Sequence, residues 1–106
     1  MALKVFISQP MSGLTDEQIL AVRNNAIKTL EADGYEVIDS YITDEIDAKV
    51  PGLAYLARSL SLMANANVVY FVKGFEKARG CRIEEACAKE YGITRMYEEV
   101  FTVRDY

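Results

Sequence analysis

The arrangement of hydrophobic and polar positions along the chain predicts four strands alternating with helices. Continuous apolar runs at Leu3–Ser8 and Asn67–Val72 lack polar alternation, which is typical of strands buried on both faces of a parallel sheet. Tyr35–Ile38 predicts a shorter strand, and Ile93–Val103 predicts a last one. This order predicts an α/β fold: a three-layer sandwich with a small, mostly parallel sheet, flavodoxin- or Rossmann-like.

Three helices are predicted to connect these strands. The first follows a capping box at Thr15–Gln18 and ends at Gly34. Its inward positions recur every three or four residues, and Arg23 stands among them. Similar patterns predict the other two helices, Gly52–Ala66 and Cys81–Tyr91.

Length, charge and composition limit the possible functions. The 106 residues predict a single domain, residues 1–106, and the net charge of −4 disfavours a nucleic-acid polymer as partner. The chain has no histidine, which excludes Ser-His-Asp and Cys-His hydrolase sites. No apolar run approaches the ~18–20 residues that cross a membrane, so we expect a cytoplasmic protein without a membrane partner. Cys81 and Cys87 lie six apart on one predicted helix and are expected to be core thiols rather than a redox pair.

The candidate site lies where the strands end, because open parallel sheets bind ligands beyond the carboxyl ends of their strands. Three segments meet there: the loop Ser8–Gly13, Asp39 after the second strand, and the loop Lys73–Gly80. Ser12 and Gly13 are equally consistent with a ligand contact and with a simple turn, and Asp39 also fits either interpretation.

Glu84 is the strongest candidate for chemistry. At about 100° per residue, it falls inside an apolar arc, whereas Glu85 faces water; the arc is defined by Ile83, Cys87, Ala88 and Tyr91. An inward carboxylate is costly unless it is used or paired, so Glu84 is a candidate nucleophile or general base. The alternative interpretation of Glu84 is structural, because an acidic residue early in a helix complements the helix dipole. Arg79 beside the helix start suits an anion, unless it pairs with Glu76.

Two segments resemble a known family. Lys4–Gly13 (KVFISQPMSG) and Asn67–Glu84 are similar to the corresponding motifs of small nucleoside 2-deoxyribosyltransferase-like proteins of the DUF4406 type. The resemblance implies that Glu84 attacks the anomeric carbon of a nucleoside, giving cleavage or transfer at the N-glycosidic bond of a (deoxy)nucleoside or nucleotide. It implies no metal or organic cofactor, and it implies a homo-oligomer. The residues expected to bind this substrate are Ser8, Met11, Ser12, Gly13, Asp39, Gly74, Arg79 and Gly80.

Four positions depart from the family pattern. Phe6 stands where active transferases often have tyrosine, and Ser59 stands roughly where they have aspartate. Ala78 replaces a common serine or aspartate, and Gln9 replaces a glycine. These departures keep a second hypothesis open: a non-catalytic nucleotide-binding module that senses or sequesters its ligand.

Overall fold

The computed structural model describes residues 2–98 and confirms the predicted α/β class. Four strands and three helices alternate along the chain, with a short 3-10 helix at Phe75–Lys77. In chain order they are β1 (Lys4–Ser8), α1 (Asp16–Ala32), β2 (Glu36–Val37), α2 (Pro51–Met63), β3 (Val68–Phe71), α3 (Arg79–Glu90) and β4 (Thr94–Tyr97). The predicted fourth strand is confirmed at Thr94–Tyr97, and its end at residues 99–103 lies outside the described residues.

The sheet is fully parallel and has the strand order β2-β1-β3-β4. From β1 the chain passes through α1 to β2 on one side, and then crosses through α2 to β3 on the other side. The switch in direction therefore falls between β1 and β3, whose last residues Ser8 and Phe71 are paired in register. In such sheets the loops that follow the two strands diverge, and a ligand site forms between them.

Helices cover both faces of the sheet, which makes three layers. On β1, Val5 and Ile7 pack towards α1, whereas Phe6 packs towards the side of α2 and α3. Because both faces are covered, all three side chains are buried, which explains the absence of polar alternation in this strand. The second core contains Phe6 with Met63, Val69, Phe71 and Ala88.

The start of α1 has the predicted capping box. The hydroxyl of Thr15 accepts a hydrogen bond of 3.1 Å from the backbone N–H of Gln18. The Gln18 side chain in turn accepts one of 2.9 Å from the backbone N–H of Thr15. Two otherwise free amides are satisfied, and the entry of the chain from the β1 loop into the helix is fixed.

The apolar arc predicted for α3 is wrong in two positions. Ile83 is 37% exposed and Tyr91 is 83% exposed, while the buried residues of this helix are Cys81, Glu84 and Ala88. Tyr91 follows the last helical residue and therefore lies beyond the packed turn. The inward position of Glu84 is nevertheless confirmed, at 7% exposed. No helix within residues 2–98 is long and apolar enough to cross a membrane.

Candidate functional site

A cavity of about 430 Å³ opens at the carboxyl end of β1, beside the switch point of the sheet. Its walls come from β1 and the loop that follows it, from residues 40–45, from α2 and from the start of α3. Four predicted site residues line the cavity, namely Met11, Ser12, Gly80 and Glu84. The prediction that the site lies beyond the strand ends therefore agrees with the position of this cavity.

The cavity-lining Glu84 is joined directly to Ser8, which is not itself part of the lining. The Ser8 hydroxyl donates a buried hydrogen bond of 2.6 Å to Oε1 of Glu84. Ser8 is the last residue of β1 and is 1% exposed, while Glu84 lies in the second turn of α3. The end of the strand and the start of the helix thus hold one carboxylate in a defined orientation.

The environment of Glu84 changes its acid–base behaviour. Burial raises the pKa of Glu84 from its ordinary value of 4.5 to about 7, and the hydrogen bond from Ser8 lowers it in part. Near neutral pH the side chain is therefore present in comparable amounts as carboxylate and as carboxylic acid. A carboxyl group with such a pKa in a cavity is suited to act as a nucleophile or as a general acid or base.

Cys81 lies one helical turn before Glu84 and also lines the cavity. Burial raises the pKa of its thiol to about 11, although its hydrogen bond with Ser8 opposes this. The thiol is protonated at neutral pH and is a poor nucleophile, because the thiolate is the reactive form. Cys81 is buried and Cys87 half-buried, and both are free, as predicted for core thiols.

Besides Ser8 and Arg79, three predicted residues lie outside the cavity lining. Gly13 and Gly74 adopt the left-handed conformation, with φ of 80° and 87°, in the loops after β1 and β3. Asp39 is exposed, and its carboxylate accepts a hydrogen bond of 3.4 Å from the backbone N–H of Tyr41. All three fit the turn interpretation of their positions, and a role for them in ligand binding stays a prediction.

Arg79 is exposed and lies at the edge of the cavity rather than in its lining. Its Nη2 atom would be 3.9 Å from a Cβ atom placed on Gly52, which does line the cavity. The suggested pairing of Arg79 with Glu76 is wrong, since the only ion pair in residues 2–98 joins Arg58 to Asp44 at 3.1 Å.

One wall of the cavity, the irregular segment of residues 40–45, was not predicted from the sequence. Asp44 and Glu45 from this segment line the cavity together with Tyr55 of α2. The hydroxyl of Tyr55 donates to the Asp44 carbonyl at 2.8 Å and accepts from the backbone N–H of Ile46 at 3.2 Å. These contacts join residues nine and eleven positions apart through an irregular loop, so no periodic pattern indicates them. Within the described residues, no three His, Cys, Asp or Glu side chains are grouped closely enough to hold a metal ion.

All four departures from the family pattern line this one cavity: Phe6, Gln9, Ser59 and Ala78. Phe6 is 2% exposed and belongs to the core beneath the cavity, whereas Ser59 and Ala78 are half-buried on its walls. These four positions therefore all belong to the candidate site.

Comparisons with known proteins give one family. No curated protein and no solved structure matches the chain. A family model described as a domain of unknown function (DUF4406) matches residues 3–97, which include all four strands and the whole cavity lining. Because the match covers most of the 106 residues, the chain belongs to the DUF4406 family.

Proposed function

We propose that this protein is a nucleoside 2-deoxyribosyltransferase-like enzyme that cleaves or transfers at the N-glycosidic bond of a (deoxy)nucleoside or nucleotide, with Glu84 as the nucleophile. One observation carries the proposal: the Glu84 carboxyl group lines the cavity, is 7% exposed and is held by Ser8 at 2.6 Å. The resemblance of Lys4–Gly13 and Asn67–Glu84 to small nucleoside 2-deoxyribosyltransferase-like proteins supports the same assignment.

The proposed reaction has two steps. A carboxylate oxygen of Glu84 forms a bond to the anomeric carbon while the bond from that carbon to the base nitrogen breaks. The base leaves with the electron pair and takes up a proton, and a glycosyl ester remains on Glu84. Water or a second base then attacks the same carbon, loses a proton, and releases the carboxylate. Because Oε1 accepts the hydrogen bond from Ser8, Oε2 is the oxygen better placed to react.

The dimensions and chemistry of the cavity suit such a substrate. About 430 Å³ lies within the range of roughly 300–1,000 Å³ that small-molecule sites occupy. Apolar groups from Phe6 and Leu56 lie in the same lining as the hydroxyl-bearing Ser12 and Tyr55. A lining of this kind buries a planar base while leaving polar contacts for a sugar.

Base release from a panel of nucleosides and their 5′-monophosphates tests the proposal. We expect the wild-type protein to release free base from at least one substrate, as measured by chromatography, and Glu84→Ala to release none. Glu85→Gln is the matched control, because the Glu85 carboxylate instead accepts a hydrogen bond of 2.7 Å from Tyr97 and is not part of the lining. Inactivity of the wild-type protein on the whole panel would contradict the proposal.

A non-catalytic nucleotide-binding module is the second candidate function. Three cavity-lining residues favour this function: Phe6, Ser59 and Ala78. At these positions active transferases often carry tyrosine, aspartate, and serine or aspartate, respectively. In that case the neutral form of Glu84, half of the population near its pKa of about 7, donates a hydrogen bond to the ligand. Calorimetric binding of a nucleotide that is recovered unchanged after long incubation would select this function.

We also propose that the protein is cytoplasmic and forms a homo-oligomer. Free Cys81 and Cys87 suit a reducing compartment. Val50 and Leu53, at 57% and 62% exposed, flank the cavity-lining Gly52 and offer an apolar surface to a second copy. Light scattering should give at least a dimer, and Leu53→Glu should dissociate it. A wild-type protein that is monomeric at the highest soluble concentration would contradict this assignment.

A further inference from the structure

Arg23 is a buried cation that the proposed reaction does not use. It is 3% exposed, and its Nη2 atom donates a hydrogen bond of 3.3 Å to the carbonyl of Ile38. Its Nη1 atom has no hydrogen-bond partner among residues 2–98, and no carboxylate of these residues lies within ion-pair distance of it. The charge of Asp39 only partly opposes the lowering of the Arg23 pKa by burial. Leaving a buried guanidinium group in this state costs free energy in the folded protein. A ligand that supplies the missing hydrogen bond therefore binds more favourably.

Two residues of the cavity lining carry further buried side-chain oxygens that have no hydrogen-bond partner within residues 2–98. These atoms are Oε1 of Gln9 and Oγ of Ser40, in side chains that are 6% and 4% exposed. The Nε2 atom of Gln9 donates to the carbonyl of Ile19 at 3.1 Å, which leaves Oε1 as the available acceptor of this amide.

The contacts of these three residues place them near one another, with Gln9 and Ser40 in the cavity lining and Arg23 outside it. Gln9 follows the last residue of β1 and is tied to Ile19, one helical turn before Arg23 on the buried face of α1. Arg23 is tied to Ile38, two residues before Ser40. The group therefore lies at the carboxyl ends of β1 and β2, under α1. Solvent does not reach the three atoms, so ligand entry must turn them towards the cavity, to which Gln9 and Ser40 already contribute.

We propose that Gln9, Arg23 and Ser40 form a base-recognition subsite that selects nucleobases with a lactam edge, in which a ring N–H lies beside an exocyclic oxygen. This inference rests on the proposed function, because it assigns the base position of a substrate whose sugar lies at Glu84. Ser8 links the two parts of the site, since it contacts Glu84 and precedes Gln9 in the chain.

An inventory of donors and acceptors selects this type of edge. Arg23 Nη1 and the Ser40 hydroxyl offer two donors, and Gln9 Oε1 offers one acceptor. An exocyclic oxygen accepts two hydrogen bonds, and the adjacent ring N–H donates one, so a lactam edge satisfies all three groups. An amino base presents one ring-nitrogen acceptor and an NH₂ group, which leaves the Ser40 hydroxyl proton without a partner.

Two matched pairs of substrates test the subsite. Deoxyinosine and deoxyadenosine differ mainly in this edge, as do deoxyuridine and deoxycytidine. We expect kcat/KM to be about tenfold or more higher for the lactam member of each pair, because a site built to hydrogen-bond one group rejects an analogue that leaves its polar groups unpaired. Equal rates, or a preference for the amino member, would overturn the inference while leaving the glycosidic reaction intact.

Binding of the free bases provides a readout that does not need catalysis. We expect hypoxanthine to bind about tenfold or more tightly than adenine by calorimetry, even to a protein that releases no base. Failure of both bases to bind would overturn the subsite. Gln9→Leu and Ser40→Ala should each bring the two affinities within about threefold, whereas Ser61→Ala, an exposed position of α2, should keep the wild-type ratio. An unchanged ratio in both subsite variants would also overturn the inference.

Discussion

The hydroxyl of Ser8, at the end of β1, donates a hydrogen bond of 2.6 Å to the carboxylate of Glu84, which lies 76 residues later in the chain. This contact joins the first strand of the sheet to the last helix, at the switch point where parallel α/β folds place their ligands. It also acts against burial in setting the pKa of Glu84, so the same two residues fix both the position and the ionisation of the candidate nucleophile.

Ionisation of Glu84 should make the folded state less stable as the pH rises. Folding raises the pKa of Glu84 from 4.5 to about 7, so the native state binds this proton more tightly than the unfolded state does. The stability that this proton contributes is lost as the pH rises from 4.5 to about 7. The difference corresponds to about 3 kcal/mol. We expect Glu84→Gln, which does not titrate, to gain on the order of 2–3 kcal/mol over the wild type between pH 5 and pH 8. Urea unfolding of both proteins at the two pH values measures this; a constant difference would contradict the burial of an ionisable Glu84.

The rate of base release should follow the ionisation of Glu84. A nucleophilic carboxylate is required, so kcat/KM should fall about tenfold for each pH unit well below the pKa of about 7 and reach a plateau above it. A pH profile measured on an active nucleoside tests this expectation. A rate that is highest in acid and falls as the pH rises through 7 would indicate that the neutral carboxyl group is the working form.

Ser8→Ala should shift this pH profile of kcat/KM to higher pH. The hydrogen bond from Ser8 lowers the pKa of Glu84, and its removal leaves burial unopposed. We expect the midpoint of the kcat/KM profile to move to higher pH, with a lower kcat because the carboxylate loses its anchor. Ser61→Ala, outside the cavity, is the control. A Ser8→Ala variant with the midpoint and kcat of the wild type would show that the contact has no positioning role.

The capping box of α1 should contribute measurably to stability. Thr15→Ala removes the oxygen that accepts from the Gln18 N–H, and we expect a loss of about 1 kcal/mol in the free energy of unfolding. Thr29→Ala is the matched control, because the Thr29 hydroxyl only donates to the Asn25 carbonyl within the helix, at 3.1 Å. Chemical denaturation compares the two variants; an equal effect would argue against the cap.

Much of the fold was predictable from the sequence because its strands are buried on both faces. Short continuous runs such as that around Val5 and Phe6, rich in β-branched and aromatic residues, are typical of such strands, and the capping box marks the start of α1 by residue type alone. The inward position of Glu84 was also predictable, because the helical projection placed this residue correctly although it misplaced Ile83 and Tyr91.

The rest of the site depends on contacts that leave no periodic trace. The wall formed by Asp44 and Glu45 is positioned through the hydroxyl of Tyr55 and by an irregular loop. Arg23 has the spacing of a core residue, and only the structure shows that its Nη1 atom lacks a partner among the described residues. The pairing of Ser8 with Glu84 likewise follows from strand order and helix packing rather than from local sequence.

A trapped reaction intermediate tests the central proposal most directly. The protein is incubated with an active deoxynucleoside, quenched in acid, and examined by intact-protein and peptide mass spectrometry. We predict a mass increase of one deoxyribosyl group, located on the peptide that contains Glu84 and missing in Glu84→Gln. Base release accompanied by an adduct on another residue, or by an equal adduct on the Glu84→Gln protein, would contradict the assignment of Glu84 as the nucleophile.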